Sequence, residues 1–458
     1  MAKDTVRTTC CVVGGGPAGV MLGLLLARKG VRVTVLEKHK DFFRDFRGDT
    51  VHPSTLDAIH DLGLLEEFLQ VPHQELTSAG GVFGDFNFRA ATFEHVPARC
   101  KFVALMPQWD LLSFLAGHAK RYSGFDLRLE HEAVGLLEED GRITGVKVNA
   151  PEGTVEVHAR LVVGCDGRHA MTRQAAGLQL QEYGVPIDVL WFRLSRNGGD
   201  PEEVFGNINY GKLMILIPRG DYFQAGLIIR KGSFNTLIEA GIDAFRATLL
   251  KIAPFLGNRV EELQDWEQIK LLSVQINRLR SWHRPGLLCI GDAAHAMSPV
   301  GGVGINLAIQ DSIATANLFA RPLLDGGATD ALSEKLQCRR ELPTRLTQFA
   351  QVNAHKMLEH VFAKGGRAKA PWQMKLVLGL PGVQRLLGRL IGMGVRPERV
   401  HEPQGVPRIP KRVLFAAAFA GAAVGLAIAP VLRSRSRRGE KLRIGVNRRP
   451  QSRISAVS

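Results

Sequence analysis

Three glycines at the spacing GxGxxG are the first residues whose types and spacing suggest a chemical role. Gly14, Gly16 and Gly19 follow an apolar run and lead into a second one. This spacing allows a tight turn and brings backbone N–H groups at a helix start within reach of a pyrophosphate. Glu37 ends the next apolar run, where its carboxylate can bind both hydroxyl groups of a ribose. Residues 8–37 therefore predict a βαβ unit that binds a dinucleotide, against the alternative of a glycine-rich turn without a ligand.

A longer glycine-rich segment, GDAAHAMSPVGGVGINLA, occupies residues 291–308. It follows an apolar run, so Asp292 stands at the end of a predicted strand, where a carboxylate can bind a polyol hydroxyl group. The glycines after Pro299 precede a predicted helix, whose start presents free N–H groups and the positive end of the helix dipole. Such a site would stabilise an anionic flavin ring. A glycine loop that serves only tight packing is the alternative, but it does not explain why the strand end, the acid, the proline and the helix start coincide.

The segment GCDGR at residues 164–168 also follows an apolar run. By itself it is typical of an Asp-Gly turn without chemistry. The sequence has six cysteines, and none of them forms a CxxC pair. This pattern predicts buried free thiols in a reducing compartment, and it indicates neither a metal site nor a dithiol redox site.

The elements that must position these residues follow the hydrophobic patterns of the chain. Residues 54–70 have helical periodicity beginning at Ser54, residues 126–163 alternate as strands with a turn at Asp140-Gly141, and residues 186–280 contain runs typical of a second sheet. The sequence thus predicts an α/β protein in which a Rossmann-like dinucleotide-binding domain is interleaved with a smaller, mixed-sheet domain. We expect the following division: residues 1–180 for the first part of the dinucleotide-binding domain, 181–280 for the substrate-binding sheet, 281–330 for the closing part of the first domain, 331–410 for C-terminal helices, and 411–458 for an apolar segment with a basic tail.

The three motifs, in this order, resemble those of the single-component FAD-dependent aromatic hydroxylases, the para-hydroxybenzoate hydroxylase-like family that includes the ubiquinone-biosynthesis hydroxylases. The resemblance extends over roughly residues 8–400, and the segment 291–308 is its most specific part. It implies bound FAD, with NADH or NADPH as a transiently bound co-substrate, since the sequence has no second GxGxxG. The FAD contacts that the resemblance implies are Gly14, Gly16, Ala18, Gly19, Glu37, Arg47, Gln108, Val134, Asp166, Gly167, Asp292, Pro299, Gly304, Ile305 and Asn306.

The resemblance also implies individual roles. Arg47 would lie near the flavin and the incoming nicotinamide, and Pro299 would line the isoalloxazine ring, so these two are the candidate catalytic residues. Asp292 would bind the ribityl chain. His52 is close in sequence to Arg47 and could reach the active site. The favoured alternative is that His52 supports the helix predicted to begin at Ser54.

The C-terminal part departs from this family pattern. Residues 413–432 contain no charge, and their number is sufficient to span a bilayer core as one helix. The chain has a net charge of +15, and residues 433–458 hold nine lysines and arginines against one glutamate, which favours contact with anionic lipid. We therefore expect a cytoplasmic protein attached to the inner face of a membrane through residues 413–432 and the basic tail; a buried or surface-docked helix is the alternative. No nucleic acid partner is expected, because the tail lacks interleaved aromatic residues.

The chemistry of FAD indicates the reaction. We expect a monooxygenase, either a hydroxylase or an epoxidase, that uses NAD(P)H and O₂ on a small apolar substrate of aromatic or isoprenoid, lipid-like character. Two alternatives stay open. One is an FAD-dependent reductase or dehydrogenase of the same fold, such as a polyprenyl-chain saturase, which would not consume O₂. The other is a membrane-tethered flavoprotein without catalytic activity, whose flavin no nicotinamide would reduce.

Overall fold

The structure is a computed structural model of the chain. It describes residues 4–43, 50–201, 205–362, 366 and 368–401. All described residues lie in one compact unit, Met1–Ile409. The predicted membrane segment at 413–432 and the basic tail therefore lie outside the described residues.

Within the described residues, eleven α-helices are formed. Their bounds are α1 (Pro17–Arg28), α2 (Pro53–Asp61), α3 (Leu65–Phe68), α4 (Gln108–Ala119), α5 (Met171–Ala175), α6 (Phe234–Ala240), α7 (Ile242–Ile252), α8 (Gly304–Asp325), α9 (Asp330–Phe362), α10 (Trp372–Gly379) and α11 (Val383–Met393).

Twenty β-strands accompany these helices in the same part of the chain. Their bounds are β1 (Asp4–Val13), β2 (Val33–Leu36), β3 (Thr50–Val51), β4 (Gln74–Leu76), β5 (Ser78–Phe83), β6 (Phe86–Thr92), β7 (Val103–Leu105), β8 (Phe125–Arg128), β9 (Glu132–Glu139), β10 (Arg142–Ala150), β11 (Gly153–Gly164), β12 (Leu180–Tyr183), β13 (Ile187–Ser195), β14 (Phe205–Asn209), β15 (Lys212–Arg219), β16 (Tyr222–Arg230), β17 (Lys270–Ser273), β18 (Ile276–Leu279), β19 (His283–Arg284) and β20 (Leu287–Cys289).

The larger sheet has eight strands. Six of them follow the order β19-β20-β11-β1-β2-β8, while β10 also pairs with β11 and carries β9. β1 runs parallel to both β2 and β11, and β11 runs parallel to β20. β1 is buried from Cys10 to Val13, as expected for a central strand covered on both faces. Because parallel strands end at the same edge of a sheet, the turns that follow β1, β11 and β20 lie side by side.

The smaller sheet has seven strands in the order β17-β13-β16-β15-β14-β5-β6. On one face, side chains such as Phe192 and Phe223 form a buried apolar cluster with α7. The opposite face carries Trp191 and Ile228, which share a second apolar cluster with Leu358 of α9. This surface is called the α9 face below. The sheet takes two of its strands, β5 and β6, from the chain before residue 100, whereas the sequence indicated strands of a second sheet only between residues 186 and 280.

The helix predicted over residues 54–70 is two helices in the structure. α2 begins one residue earlier than predicted, with His52 as its N-cap residue, and the short α3 follows separately. Gly63, between them, has a φ angle of +73°, a left-handed backbone conformation that cannot continue a helix. The turn predicted at Asp140-Gly141 is confirmed, with φ angles of +49° and +76°.

The prediction of buried free thiols is confirmed for five of the six cysteines. All six are unpaired, and only Cys338 is exposed. Burial raises the pKa of Cys289 to about 12. The buried thiols therefore stay protonated and act as small apolar side chains.

Among the helices of the described residues, none by itself has the length and apolar composition needed to cross a membrane. α10 and α11, which meet at an angle of 81°, reach that composition only as a bent pair.

Candidate cofactor site

The glycine-containing turns converge at the carboxyl edge of the larger sheet. The Cys165 N–H donates to the Val13 carbonyl over 2.7 Å, and the Ile290 N–H donates to the Gly164 carbonyl over 3.0 Å. Gly14 has a φ angle of +108°, and a Cβ atom there would lie 2.4 Å from the Cys165 carbonyl oxygen. Only glycine permits this approach. The three motifs are thus neighbours in space, as their order along the sheet requires.

The start of α1 fits a pyrophosphate group. A Cβ atom on Gly19 would lie 1.9 Å from the Gly14 carbonyl oxygen, so Gly19 lets the helix pack tightly against the turn. A Cβ atom on Gly16 would meet no atom within 4 Å, so the space outside the turn is open. α1 has no side-chain cap and no acidic residue in its first turn. Its N–H groups and its dipole therefore remain available to an anion beside Gly14, Gly16, Ala18 and Gly19.

Glu37 lies beside this turn, immediately after β2. Its carboxylate oxygens accept hydrogen bonds from the Gly15 and His39 N–H groups, each over 3.0 Å. The carboxylate is therefore fixed where the ribose is predicted to bind. Gln108 is the first residue of α4, which packs against α1, and Val134 is 45% exposed on β9. The FAD contacts of these residues remain predictions.

An ion pair joins the Asp-Gly turn after β11 to the segment after β20. Arg168 Nε lies 3.1 Å from Asp292 Oδ2, and the Asp292 side chain is still 32% exposed, as a polyol contact requires. Asp166 points inward, where its two oxygens accept from the Thr172 N–H and hydroxyl over 2.9 and 2.7 Å. Burial raises the pKa of Asp166, although both bonds from Thr172 oppose this shift. The Asp166 side chain therefore binds α5, and the backbone of Asp166 and Gly167 is left for the predicted cofactor contact.

Residues 294–303, called the α8 loop below, form the approach to a second helix start. Gly301 and Gly302 have φ angles of +81° and +63°, which let the chain turn sharply into α8. α8 begins at Gly304 without a side-chain cap and without an acidic residue in its first turn. The N–H groups around Gly304 and Ile305 are therefore free to face an anionic ring.

Residues of β3 and α2 hold the α8 loop from one side. The Thr50 hydroxyl donates to the Gly302 carbonyl over 2.8 Å, and His52 Nε2 lies 3.0 Å from the same oxygen. Asn306 is buried, and its Oδ1 accepts a hydrogen bond of 2.7 Å from the Ser54 hydroxyl. The chain around residues 50–55 therefore sets the position of both the loop and Asn306.

His52 was predicted either to reach the active site or to support the helix that follows it, and its contacts bear on both roles. His52 is the N-cap residue of α2, and it also contacts the α8 loop at Gly302. Burial lowers its pKa to about 4, although carbonyl hydrogen bonds oppose the shift. The imidazole is therefore neutral at pH 7 and donates its Nε2–H to the carbonyl. This arrangement is that of a positioning residue.

A buried ionic network behind the site was not predicted. Asp311 of α8 is fully buried, and its carboxylate accepts from the Gly291 N–H at 3.1 Å, His295 Nε2 at 2.6 Å and Arg340 Nε at 2.8 Å. Burial raises the pKa of Asp311, but His295 and Arg340 outweigh burial and lower it. Arg340 also lies 3.6 Å from Glu398. The network fixes the turn before Asp292, and an acid in the middle of the apolar run of α8 was the local signal for it.

Side chains of α9 hold the other side of the α8 loop, and these too were missed. Gln351 accepts from the Ser298 N–H at 3.1 Å and donates to the Ser298 and Val300 carbonyls, both at 2.9 Å. Gln348 donates to the Ala296 carbonyl at 3.1 Å, and His355 Nε2 lies 2.8 Å from the Ser298 hydroxyl. The spacing of three and four residues places all three side chains on one side of the helix. That spacing was the available signal, although it does not reveal which segment the polar stripe contacts.

The structure does not test every predicted residue. Arg47 belongs to residues 44–49, which lie outside the described residues, so its place near the flavin stays a prediction. Pro299 lies in the α8 loop directly after Ser298, next to the start of α8. Within the ranges that the structure describes, no group of three or more His, Cys, Asp or Glu side chains could hold a metal ion.

Comparison with known proteins places this geometry in context. Residues 7–350 match the family described as FAD binding domain. The chain is 29% identical over 397 residues to 6-methylpretetramide 4-monooxygenase of Streptomyces rimosus, a match that covers 84% of this chain and 93% of that protein. It is 27% identical over 342 residues to rifampicin monooxygenase of Streptomyces venezuelae, covering 72% of this chain and 67% of that protein.

A solved structure has the same fold. OxyS anhydrotetracycline hydroxylase from Streptomyces rimosus superimposes with a TM-score of 0.66 at 22% sequence identity, and the match covers 84% of this chain and 76% of that one. At this level of identity the likeness concerns the fold.

Proposed function

Because the chain belongs to the FAD binding domain family and is an FAD-dependent monooxygenase, we propose that it inserts one oxygen atom into a polycyclic aromatic substrate, with NADH or NADPH as the electron donor. The observation that carries this proposal is the convergence of three glycine-containing turns with two uncapped helix starts at one sheet edge. Bound FAD supplies hydride acceptance and oxygen activation, with the second oxygen atom leaving as water.

The protein supplies binding and orientation. The α1 start binds the pyrophosphate, Glu37 the adenosine ribose and Asp292 the ribityl chain. The start of α8, from Gly304 to Asn306, would hold the flavin ring, and its N–H groups would stabilise negative charge there. Pro299 and the rest of the α8 loop would exclude water from the bound flavin.

Two lines of support favour an aromatic substrate over a linear lipid. The relatives named above are a 6-methylpretetramide 4-monooxygenase and a rifampicin monooxygenase, which favours oxygen insertion over the reductase alternative. In addition, the α9 face of the smaller sheet is apolar and carries the indole of Trp191. Attachment to the inner face of a membrane through residues 413–432 stays part of the proposal, and it is supported only by the uncharged sequence of that segment.

The test uses the purified full-length chain. We expect it to retain FAD and to oxidise NADH or NADPH faster when anhydrotetracycline or rifampicin is added, with matching O₂ uptake and a product heavier by one oxygen atom. Reduction of the added compound without O₂ uptake would establish the reductase alternative. Failure of NADH, NADPH and every candidate substrate to reduce the bound flavin would favour the non-catalytic alternative.

A further inference from the structure

Two buried nitrogen atoms beside the α9 face, one on strand β13 and one on helix α9, are among those with no hydrogen-bond partner within the described residues. They are Nε1 of Trp191 and Nδ1 of His355. Trp191 is 8% exposed and His355 is 1% exposed, so solvent does not supply the missing partner. Buried polar groups are nearly always hydrogen-bonded, because an unpaired donor in an apolar environment is costly. Both atoms are therefore able to donate a hydrogen bond to a ligand beside the α9 face.

Trp191 lies on the α9 face of the sheet, where a glycine on the neighbouring strand leaves room for its indole ring. It pairs with Gly226 of β16, which pairs on its other side with Ile215 of β15. A Cβ atom on Gly226 would lie 2.9 Å from the indole, so the ring lies directly over the glycine. Glycine in the middle of a strand is typical of such close approach. The opposite face of the same strands is filled by α7.

His355 lies between this apolar surface and the cofactor site. Along α9 it is three residues from both Val352 and Leu358, which pack in the cluster that contains Trp191. Its Nε2 lies 2.8 Å from the Ser298 hydroxyl, next to Pro299. That hydroxyl already accepts the Val300 N–H at 3.2 Å. We assign the Ser298 hydroxyl as the donor to Nε2, which leaves the proton of the neutral imidazole on Nδ1.

We propose that Trp191 and His355 are the polar contacts of the substrate site, and that each donates an N–H to an oxygen atom of an aromatic substrate lying between the α9 face and the α8 loop. The proposal rests on the proposed function and adds the chemical feature by which the substrate is recognised. The substrate has a flat apolar body, which the α9 face binds, and at least one hydroxyl, phenolate or carbonyl oxygen. His355 then connects two tasks, since one nitrogen holds the α8 loop and the other binds the substrate.

The first test uses two probes of the same size, 1-naphthol and 1-methylnaphthalene, titrated into the FAD-loaded full chain while the flavin absorbance is followed. We expect the wild type to bind 1-naphthol at least tenfold more tightly. Trp191→Phe keeps an aromatic ring and removes the N–H, so we expect the preference to fall about five- to tenfold, as loss of a hydrogen bond predicts. Trp266→Phe is the matched control, because Trp266 packs on the α7 side of the sheet.

The second test separates the two nitrogens of His355. In His355→Gln the amide reaches the position of Nε2, so we expect normal FAD affinity and a preference for 1-naphthol reduced about five- to tenfold. In His355→Asn the amide reaches the position of Nδ1, so we expect the preference to be retained while FAD binds more weakly. Should His355→Gln fail to retain FAD, Trp191→Phe alone decides the question.

Equal affinity of the wild type for the two probes, including no measurable affinity for either, overturns the inference. So does a wild-type preference in both Trp191→Phe and His355→Gln, which would mean that ordered water satisfies the two nitrogens. Either result leaves the proposed function intact if anhydrotetracycline or rifampicin still stimulates O₂ uptake. Loss of FAD binding or of O₂ uptake in the wild type would instead count against the proposed function.

Discussion

The starts of α1 and α8 offer the same kind of anion site but are held in place by different means. At α1, the turn is fixed by backbone hydrogen bonds to neighbouring strands and by glycines that leave no room for a Cβ atom. At α8, the preceding loop is fixed by side chains of β3, α2 and α9, which come from distant parts of the sequence. The first site is therefore held by main-chain contacts and glycines, whereas the second depends on side chains from distant parts of the sequence.

Two ligands, FAD and ADP, can distinguish the two helix starts in every variant. FAD is proposed to contact both helix starts, whereas ADP contains only the half that the α1 turn would bind. A change at the α1 turn should weaken both ligands, while a change around the α8 loop should weaken FAD and leave ADP unaffected. Calorimetric titration of the apoprotein measures both affinities.

The largest effect is expected from Arg340→Met. The variant leaves the carboxylate of Asp311 fully buried without its guanidinium partner, so the free energy of unfolding should fall by about 3–5 kcal/mol. Arg321→Met is the control, because its pair with Asp325 is exposed and is worth only about 0.5 kcal/mol. Denaturant unfolding measures both. Similar losses in the two variants would contradict a supporting role for the buried network.

Gly14→Ala is expected to disturb the packing of the α1 turn. The new Cβ atom would meet the Cys165 carbonyl, and the φ angle of +108° is unfavourable for alanine, so we expect a loss of about 2–4 kcal/mol and weaker binding of both FAD and ADP. Gly117→Ala in α4 has open space and should be neutral or stabilising by up to about 1 kcal/mol. If Gly14→Ala keeps wild-type ADP affinity, the pyrophosphate does not bind at this turn.

Gln351→Leu tests the α8 loop from the side of α9. It removes three hydrogen bonds to Ser298 and Val300, so we expect a loss of about 1–3 kcal/mol and FAD affinity about tenfold lower, with ADP affinity unchanged. Asn353→Leu is the matched control, because the hydrogen bond that Asn353 donates to the Phe349 carbonyl lies within its own helix. Equal weakening of FAD and ADP by Gln351→Leu would remove the distinction between the two sites.

The pH dependence of stability gives the smallest and most local test. The folded-state pKa of His52 is lowered to about 4 from an ordinary value of 6.5, so the unfolded chain binds a proton that the folded chain does not between these values. The stability that His52 contributes is complete above pH 6.5 and is lost as the pH falls toward 4, by about 1–2 kcal/mol at pH 5. His52→Gln should reduce this slope by about one proton. His355, whose pKa burial also lowers to about 4, adds to the wild-type slope, so an unchanged slope in His52→Gln would contradict the assignment.

What the sequence predicted well was local. The βαβ unit follows from glycines and an acid within thirty residues of each other, and the turn after β20 from a contiguous segment. In both segments, the residues that form the recognisable sequence motif are also the residues that make the structural contacts. The structure placed them at one sheet edge as the order of parallel strands requires.

What the sequence could not predict was long-range. The α8 loop is held by Thr50 and Gln351, which are hundreds of residues apart in the chain, and neither carries a pattern that names its partner. Asp311 was visible as an acid in the middle of an apolar run, but Arg340 was one arginine among many. The joining of β5 and β6 to the smaller sheet has the same cause, since strand pairing across a hundred residues leaves no periodic signal.

Helix α9 contacts both the α8 loop and the smaller sheet, and this limits which substitutions can alter the substrate range. The same rigid helix grips the α8 loop through Gln351 and faces the smaller sheet through Leu358, so a larger residue on that helix would displace both walls together. Strands β13, β15 and β16 contribute side chains such as Trp191, Ile215 and Ile228 to the α9 face. We therefore expect variation in substrate range to accumulate on the strands while α9 stays constant, and a laboratory search for new specificities should begin at Ile215 and Gly226.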